Sequence, residues 1–237
     1  GVLEQVAAAA ADEDRYFTDE GFYIQELFVR YETGLIALLG GKTNPGFGVA
    51  WDRAPGIYGR DLAKDYEFAE RIVLSGSVAA DAGQWGRHNL TVGTFFLDTS
   101  PLQNTIVSKT RGTLGREDGG VSNTEDFSSY NVVLEGGFPA IPDLLYHLGY
   151  IHQANGAGAT EDETGFAAAL TTRFDLGNSL AVSPLVEYVR REDVAGTLDT
   201  NQDYWTGSML TEWRGWNLAL AYTRRSQQAA GAATVND

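Results

Sequence analysis

The 237-residue chain contains no cysteine. That removes disulfides, thiolate nucleophiles and thiolate metal sites together, and it fits a compartment where free thiols are avoided. Basic residues are scarce as well: 17 Lys and Arg stand against 32 Asp and Glu, a formal charge of −15 with no basic cluster to offset it. A nucleic-acid backbone is therefore excluded as a partner. Long hydrophobic runs are missing too, since no stretch approaches the roughly 18 continuous apolar residues of a membrane helix, and the mean hydropathy is −0.22. A membrane crossed by strands is not excluded by this, because a transmembrane barrel carries its hydrophobicity in alternation over segments of about 10 residues.

What the chain does have is 28 glycines, 11 tyrosines, 11 phenylalanines and 5 tryptophans, a composition of strands and turns. A period-two pattern recurs along it. Residues 22–32 set Tyr23, Leu27, Val29 and Tyr31 against Glu26, Phe28, Arg30 and Glu32. Residues 144–153 set Leu144, Tyr146, Leu148 and Tyr150 against Leu145, His147, Gly149 and Ile151, and residues 216–225 set Trp216, Leu218, Leu220 and Tyr222 against Asn217, Ala219, Ala221 and Arg225. With 87–98, 165–175 and 204–214, and less regular runs near 34–43, 66–79, 128–137 and 179–191, there are ten strand candidates.

Alternation alone fits a soluble β-sandwich, whose two apolar faces meet, as well as a membrane barrel. Two features favour the barrel. Aromatic pairs such as Phe166 and Phe174, Trp205 and Trp213, and Trp216 and Tyr222 bracket the apolar faces, as girdles do at the two membrane interfaces. The links between candidates alternate short and long, as in an up-and-down barrel with short periplasmic turns and long extracellular loops. The long links include 44–65, the acid- and glycine-rich 99–127, 154–164 and 192–203.

GGKTNPGFGVAWDRAPGIYG (40–59), KDYEFAERI (64–72), RHNLTVGTFFLDTS (87–100) and NTEDFSSYNVVLEGG (123–137) resemble a group of porin-like proteins from the outer membranes of Gram-negative bacteria. The resemblance runs over nearly the whole chain, and GKxNPxFG followed by Trp is its most specific part. It implies an integral outer-membrane barrel and leaves the solute open. The Gly-Lys-x-Asn-Pro step leaves a strand, and the loop after it, 44–65, either folds into the lumen as a constriction or packs on the surface against its neighbours. Irregular backbone is tolerated at membrane depth where it lines a watery cavity.

The expected architecture is thus all-β: a single transmembrane antiparallel up-and-down β-barrel domain over 1–237, of 12 strands, or 14 if a hairpin precedes, truncated at both ends. Gly1–Val6 reads as the tail of an earlier strand, and the chain stops at TVND (234–237), where a closing strand is still expected. Neither an initiator Met nor a signal peptide stands at Gly1, so a processed chain or a fragment is expected.

Alternation points Glu26, Arg30, Lys42, Arg71, Glu135, His147, Arg173, Glu187, Glu212 and Arg214 at the interior, as pore-lining groups or as cross-barrel ion pairs. Lys42, Arg53 and Arg60, with Asp52 and Asp61, sit in or beside the 44–65 loop and are the selectivity candidates if that loop enters the lumen. Catalysis is not expected, because His88, His147 and His152 find no serine and acid in triad spacing. No cofactor is expected. DTNQD (199–203) lacks the glycine and the final glutamate of a calcium loop, while Glu125 with Asp126, or Glu161 to Glu163, are acids able to bridge lipopolysaccharide through divalent ions. The expected function is passive diffusion of small hydrophilic solutes. The alternative is a plugged barrel that docks a partner complex. Other partners are outer-membrane lipid and further copies of the chain.

Overall fold

A computed structural model of the chain describes residues 2–5, 20–56, 61–105, 112–229, 231–232 and 234–237. Its strands are β1 (Val2–Gln5), β2 (Glu20–Tyr23), β3 (Leu27–Thr33), β4 (Ile36–Thr43), β5 (Arg71–Asp81), β6 (Arg87–Leu97) and β7 (Ser129–Gly137). They continue as β8 (Leu145–Gln153), β9 (Glu163–Thr171), β10 (Phe174–Gly177), β11 (Leu180–Glu192), β12 (Asn201–Trp213), β13 (Trp216–Gln228) and β14 (Val235–Asn236). One short helix, α1 (Ala50–Arg53), lies in the link between β4 and β5.

Strands β3 to β14 form one 12-stranded antiparallel sheet in chain order, with β10 pairing beside β9 on the same edge of β11, and β1 pairs with β2 separately. The fold is all-β, as expected. Among the described residues the sheet is open, because β3 and β14 are its two edges and do not pair. Each of the ten strand candidates corresponds to a strand, with three adjustments. The 22–32 run is interrupted at 24–26, so that Phe22 and Tyr23 belong to β2 and only Leu27 onward to β3. The candidate near 66–79 begins only at Arg71, because Ala63–Tyr66 is a 3-10 turn and Glu70 takes a left-handed φ of 59°. The 165–175 run is broken at Thr172 and Arg173 into β9 and β10.

Links alternate in length as the sequence predicts. Two residues, 34–35, join β3 to β4, and 214–215 join β12 to β13, whereas 44–70 lie between β4 and β5 and 98–128 between β6 and β7. All long links therefore leave from one end of the sheet and the short turns from the other.

The two faces differ in kind. One face carries Leu148, Phe166, Leu170, Val186, Met209, Leu218 and Leu220, all exposed, with Leu170 54% and Leu220 55% accessible. Aromatics flank this band at both ends: Tyr130, Tyr150, Phe166 and Trp205 toward the long links, and Phe174, Trp213 and Trp216 toward the short turns. The opposite face is buried over the middle strands and mixed in character: Asn131, His147, Gln153, Glu163, Glu187, Arg191, Thr206 and Ser208 alternate in register with Val73, Phe95, Val133, Ile151, Leu185 and Val189. A continuous exposed apolar face, set against a covered face that buries Glu163, Glu187, Arg191 and His147, departs from the pattern of a water-soluble protein.

What covers the polar face is the 44–70 link. Phe47, Ala50, Ala54, Ala63, Tyr66 and Phe68 from this excursion form one cluster with Val73 of β5, Phe95 of β6, Ile151 of β8, Ala167 of β9, Val189 of β11 and Tyr204 of β12. Asp65 also pairs with Arg225 on β13, although only six residues separate it from Arg71, the first residue of β5. On a flat sheet β13 would lie seven strand spacings, about 34 Å, from β5, while six extended residues reach about 21 Å. A segment that also turns at Tyr66 and Glu70 does not cover that gap, so the sheet curls around its excursion.

Candidate functional site

The excursion is held to the concave face by polar clamps on successive strands. Pro45 and Gly46 end the extension of β4, and residues 46–50 then cross the sheet. On β7, Asn131 Nδ2 donates to Gly46 O at 2.8 Å. On β8, His147 Nε2 donates to Phe47 O at 2.5 Å, while its Nδ1 lies 3.1 Å from Glu135 Oε1. On β11, the Glu187 carboxylate accepts from Val49 N (2.5 Å), from Ala50 N (3.2 Å) and from the Tyr66 hydroxyl (2.7 Å). Burial and the adjacent Glu187 charge push the Tyr66 hydroxyl far above its ordinary range, so it stays a donor.

Glycines make room for this crossing. A Cβ on Gly149 would stand 2.2 Å from Phe47 O, and one on Gly165 would stand 2.7 Å from the Phe47 ring. The two wall glycines and Ile151 between them thus form the seat of Phe47, which is 2% exposed.

A second set of clamps holds the far part of the excursion. Asp65 Oδ2 accepts from Tyr204 (3.2 Å) and pairs with Arg225 (3.0 Å). Arg191 donates to Asp65 O at 2.8 Å, pairs with the fully buried Glu163 at 2.6 Å and lies over the Phe68 ring. At the root of the excursion, Lys42, 1% exposed, places Nζ 2.8 Å from Asp98 and 3.3 Å from Glu70. Asn44 donates to Glu67 at 2.8 Å and accepts from Glu70 N at 3.0 Å, which holds the left-handed backbone at Glu70. Burial, and secondarily the charge of Asp52, push the Glu67 carboxyl up to about 7 against the weaker opposing pull of Asn44.

Of the residues singled out in the sequence, the structure draws Lys42, Arg53, Glu135, His147 and Glu187 into contact with or into the excursion. Arg53, at the end of α1, reaches Glu135 with an Nη2 to Oε1 distance of 3.0 Å. Asp52 is exposed on the same helix, and Asp61 is exposed farther along. Arg60 lies outside the described residues. Glu26 accepts from Thr43 at 3.1 Å, and Arg71 donates to Ala69 O at 2.8 Å. The others stand away from the excursion: Arg30 pairs with Glu32, Arg173 with Glu212, and Arg214 sits in the 214–215 turn with its guanidinium over Trp213.

Asp65, Tyr66, Glu163, Arg191, Tyr204 and Arg225 are clamp residues that sequence reasoning passed over. A signal was present for three of them. Alternation already sets Arg225 on the row opposite Trp216 and Tyr222. Arg191 is in phase with Glu187 along β11, and Glu163 is in phase with Gly165 along β9, but a strand ending at 191 and a start at 165 hide that phase. Among the described residues no group of three or more His, Asp or Glu side chains is arranged to hold a metal ion. Glu163, counted with the loop acids in the sequence, is instead neutralised by Arg191.

Comparisons with protein-family models, curated proteins and solved structures find no match to this chain.

Proposed function

We propose that this chain forms a porin-like β-barrel of a Gram-negative outer membrane, through which small polar or ionic solutes diffuse passively. The observation that carries this reading is the contrast of the two faces: a continuous exposed apolar band edged by aromatics outside, and inside a wall that buries several charged and polar side chains under an irregular chain excursion. Trp205 and Trp213 lie eight residues apart on the outer face of β12, roughly 26 Å along a strand, which a tilt of about 40° shortens to about 20 Å across the membrane, so the two rings fall just inside the edges of the ~25 Å apolar band of such barrels. An exposed apolar face of ten strands far exceeds the few hundred Å² that a water-soluble monomer carries. In lipid the free edges, β3 on one side and β14 with the part of β13 outside Ser226 and Gln227 on the other, require pairing with further strand backbone, of this chain or of another copy, and that closure is part of the proposal.

In this reading the 44–70 excursion is the constriction. It narrows the lumen, and the solutes that pass are selected by size and by the charges lining the remaining space. The acids of the long links, Glu125 and Asp126 among them, face the outer leaflet and its lipopolysaccharide. The reading carries no catalytic role and no cofactor.

The test is single-channel recording of the protein folded into planar bilayers under a salt gradient. Discrete open steps support the pore, and the reversal potential gives its ion preference. A second reading, a plugged barrel that docks a partner, is favoured by the tight packing of Phe47, Ala50 and Tyr66 against the wall. A folded, heat-modifiable barrel that never conducts would support it and sink the pore.

A further inference from the structure

Below the excursion, at the short-turn end of the concave face, lies an open cavity of about 390 Å³ whose lining includes Arg53, Arg87, Asn89, Glu135, Ala79 and Leu145. That volume falls within the range of small-molecule sites. Its charges are unusual for a chain of net charge −15, since two guanidiniums face one carboxylate. That carboxylate, Glu135, is already engaged, with Oε1 shared between Arg53 at 3.0 Å and His147 at 3.1 Å.

Arg87 is different. Most arginines of the sheet pair with an acid, as Arg30, Arg173, Arg190, Arg191 and Arg225 do. Among the described residues Arg87 has neither an ion pair nor a side-chain hydrogen bond. Asp81 stands opposite it in the β5–β6 register, yet its carboxylate accepts from Gly83 N at 2.9 Å instead. Arg53 uses one nitrogen on Glu135, which leaves other N–H groups of its fork without a partner.

We propose that this cavity is a binding subsite for small organic carboxylates, with dicarboxylates preferred because each guanidinium can take one carboxylate in its planar fork. It rests on the pore reading only for its role in passage, where it would be a station on the solute's path. Binding itself needs no conduction. The acids of the long links sit at the opposite end of the sheet, and screening over about 8 Å at physiological salt keeps their field from the cavity, where Glu135 and the neighbouring Asp81 are the acids beside the two guanidiniums.

The test is isothermal titration of the full chain, folded in non-ionic detergent, with succinate as probe, and with acetate and choline for comparison. Saturable succinate binding is expected, tighter than acetate, with none for choline. Arg87→Gln should weaken succinate binding at least tenfold, and Arg116→Gln, an exposed arginine at the other end of the sheet, should leave it unchanged. Arg87 is exposed, so its variant should fold, and retained heat-modifiable migration confirms that it has. Absent binding, or binding indifferent to Arg87→Gln, overturns the subsite. A channel that conducts without binding succinate sinks the subsite and leaves the pore standing, whereas binding without conduction does the reverse.

Discussion

The Tyr66 hydroxyl donates to Glu187 Oε1 at 2.7 Å, across 121 positions of sequence, and the same carboxylate holds the main chain at Val49 and Ala50. One side chain on β11 therefore closes the excursion at two separated points. Glu187→Gln replaces one accepting oxygen with a donor that faces N–H groups already looking for an acceptor. With hydrogen bonds to a charged group contributing about 1.5–3 kcal/mol each, the variant should loosen the excursion without unfolding the sheet. Trypsin cleavage at Arg53 should become at least tenfold faster while heat-modifiable migration is kept. Unchanged cleavage would show that Glu187 is not the clamp. Tyr66→Phe removes one of these bonds and should lie between the two.

The seat of Phe47 gives a sharper contrast. Gly149→Ala and Gly165→Ala each place a Cβ inside contact distance of Phe47, so both should displace the excursion and cost about 1–3 kcal/mol, as overpacking does. Gly207→Ala on β12 meets nothing within 4 Å and removes the conformational freedom of glycine, so it should be neutral or stabilising by up to about 1 kcal/mol. Thermal midpoints of the three variants in detergent decide this. If Gly149→Ala matches Gly207→Ala, Phe47 does not sit where the geometry places it.

The long strands, their register parity and the link alternation were legible in the sequence, because a half-buried strand writes its two faces as a period of two, whereas the short β2, β10 and β14, of two to four residues, are too brief to show that period. Glu187 and His147 could be pointed inward for the same reason. What they touch was not legible, since the partners are main-chain atoms of Phe47, Val49 and Ala50, which carry no sequence signal. Asp65 shows the same limit: its partners Tyr204 and Arg225 lie 139 and 160 positions away, and only the curl of the sheet brings them together. Arg214 illustrates the converse, since alternation assigns it a face but the 214–215 turn rotates it to φ 47°, where it stacks on Trp213.

Lys42 has no exposed side-chain surface, and two carboxylates, Asp98 and Glu70, share its ammonium. Lys42→Met keeps the volume of the side chain and leaves both acids without that cation. Breaking a buried pair in this way costs about 3–5 kcal/mol, so the thermal midpoint should fall clearly. Adding Asp98→Asn should recover part of the loss, because it removes the charge of the fully buried carboxylate that faced the ammonium at 2.8 Å. No recovery in the double variant would mean that the ammonium acts mainly through Leu102 O, 3.4 Å away.

Glu67 couples the excursion to pH. Its folded carboxyl, pushed up to about 7 by burial and by Asp52, lies above its ordinary 4.5, so the folded state holds this proton more tightly than the unfolded chain does. Its contribution is therefore fully present below about pH 4.5 and is lost as the pH rises through 7. Thermal midpoints from pH 4 to 8 should show a decline that Glu67→Gln, which cannot ionise, flattens. Parallel curves for the two proteins would assign the decline to other acids.

Whether the apolar face meets lipid is decided by charge placed at its middle. Leu170 and Leu220 lie in the band between the aromatic rows and touch no part of the excursion. Leu170→Arg and Leu220→Arg should each lower the folding free energy into phospholipid vesicles by about 2–4 kcal/mol, the cost of a cation near the bilayer midplane. Asn217→Arg, on the opposite, concave face of β13, should cost less than about 1 kcal/mol, because an arginine facing a hydrated lumen keeps its head in water. In a water-soluble assembly the order would not hold, since an arginine on an exposed face is nearly free. Equal folding of all three variants into vesicles would therefore remove the membrane from the account of this face.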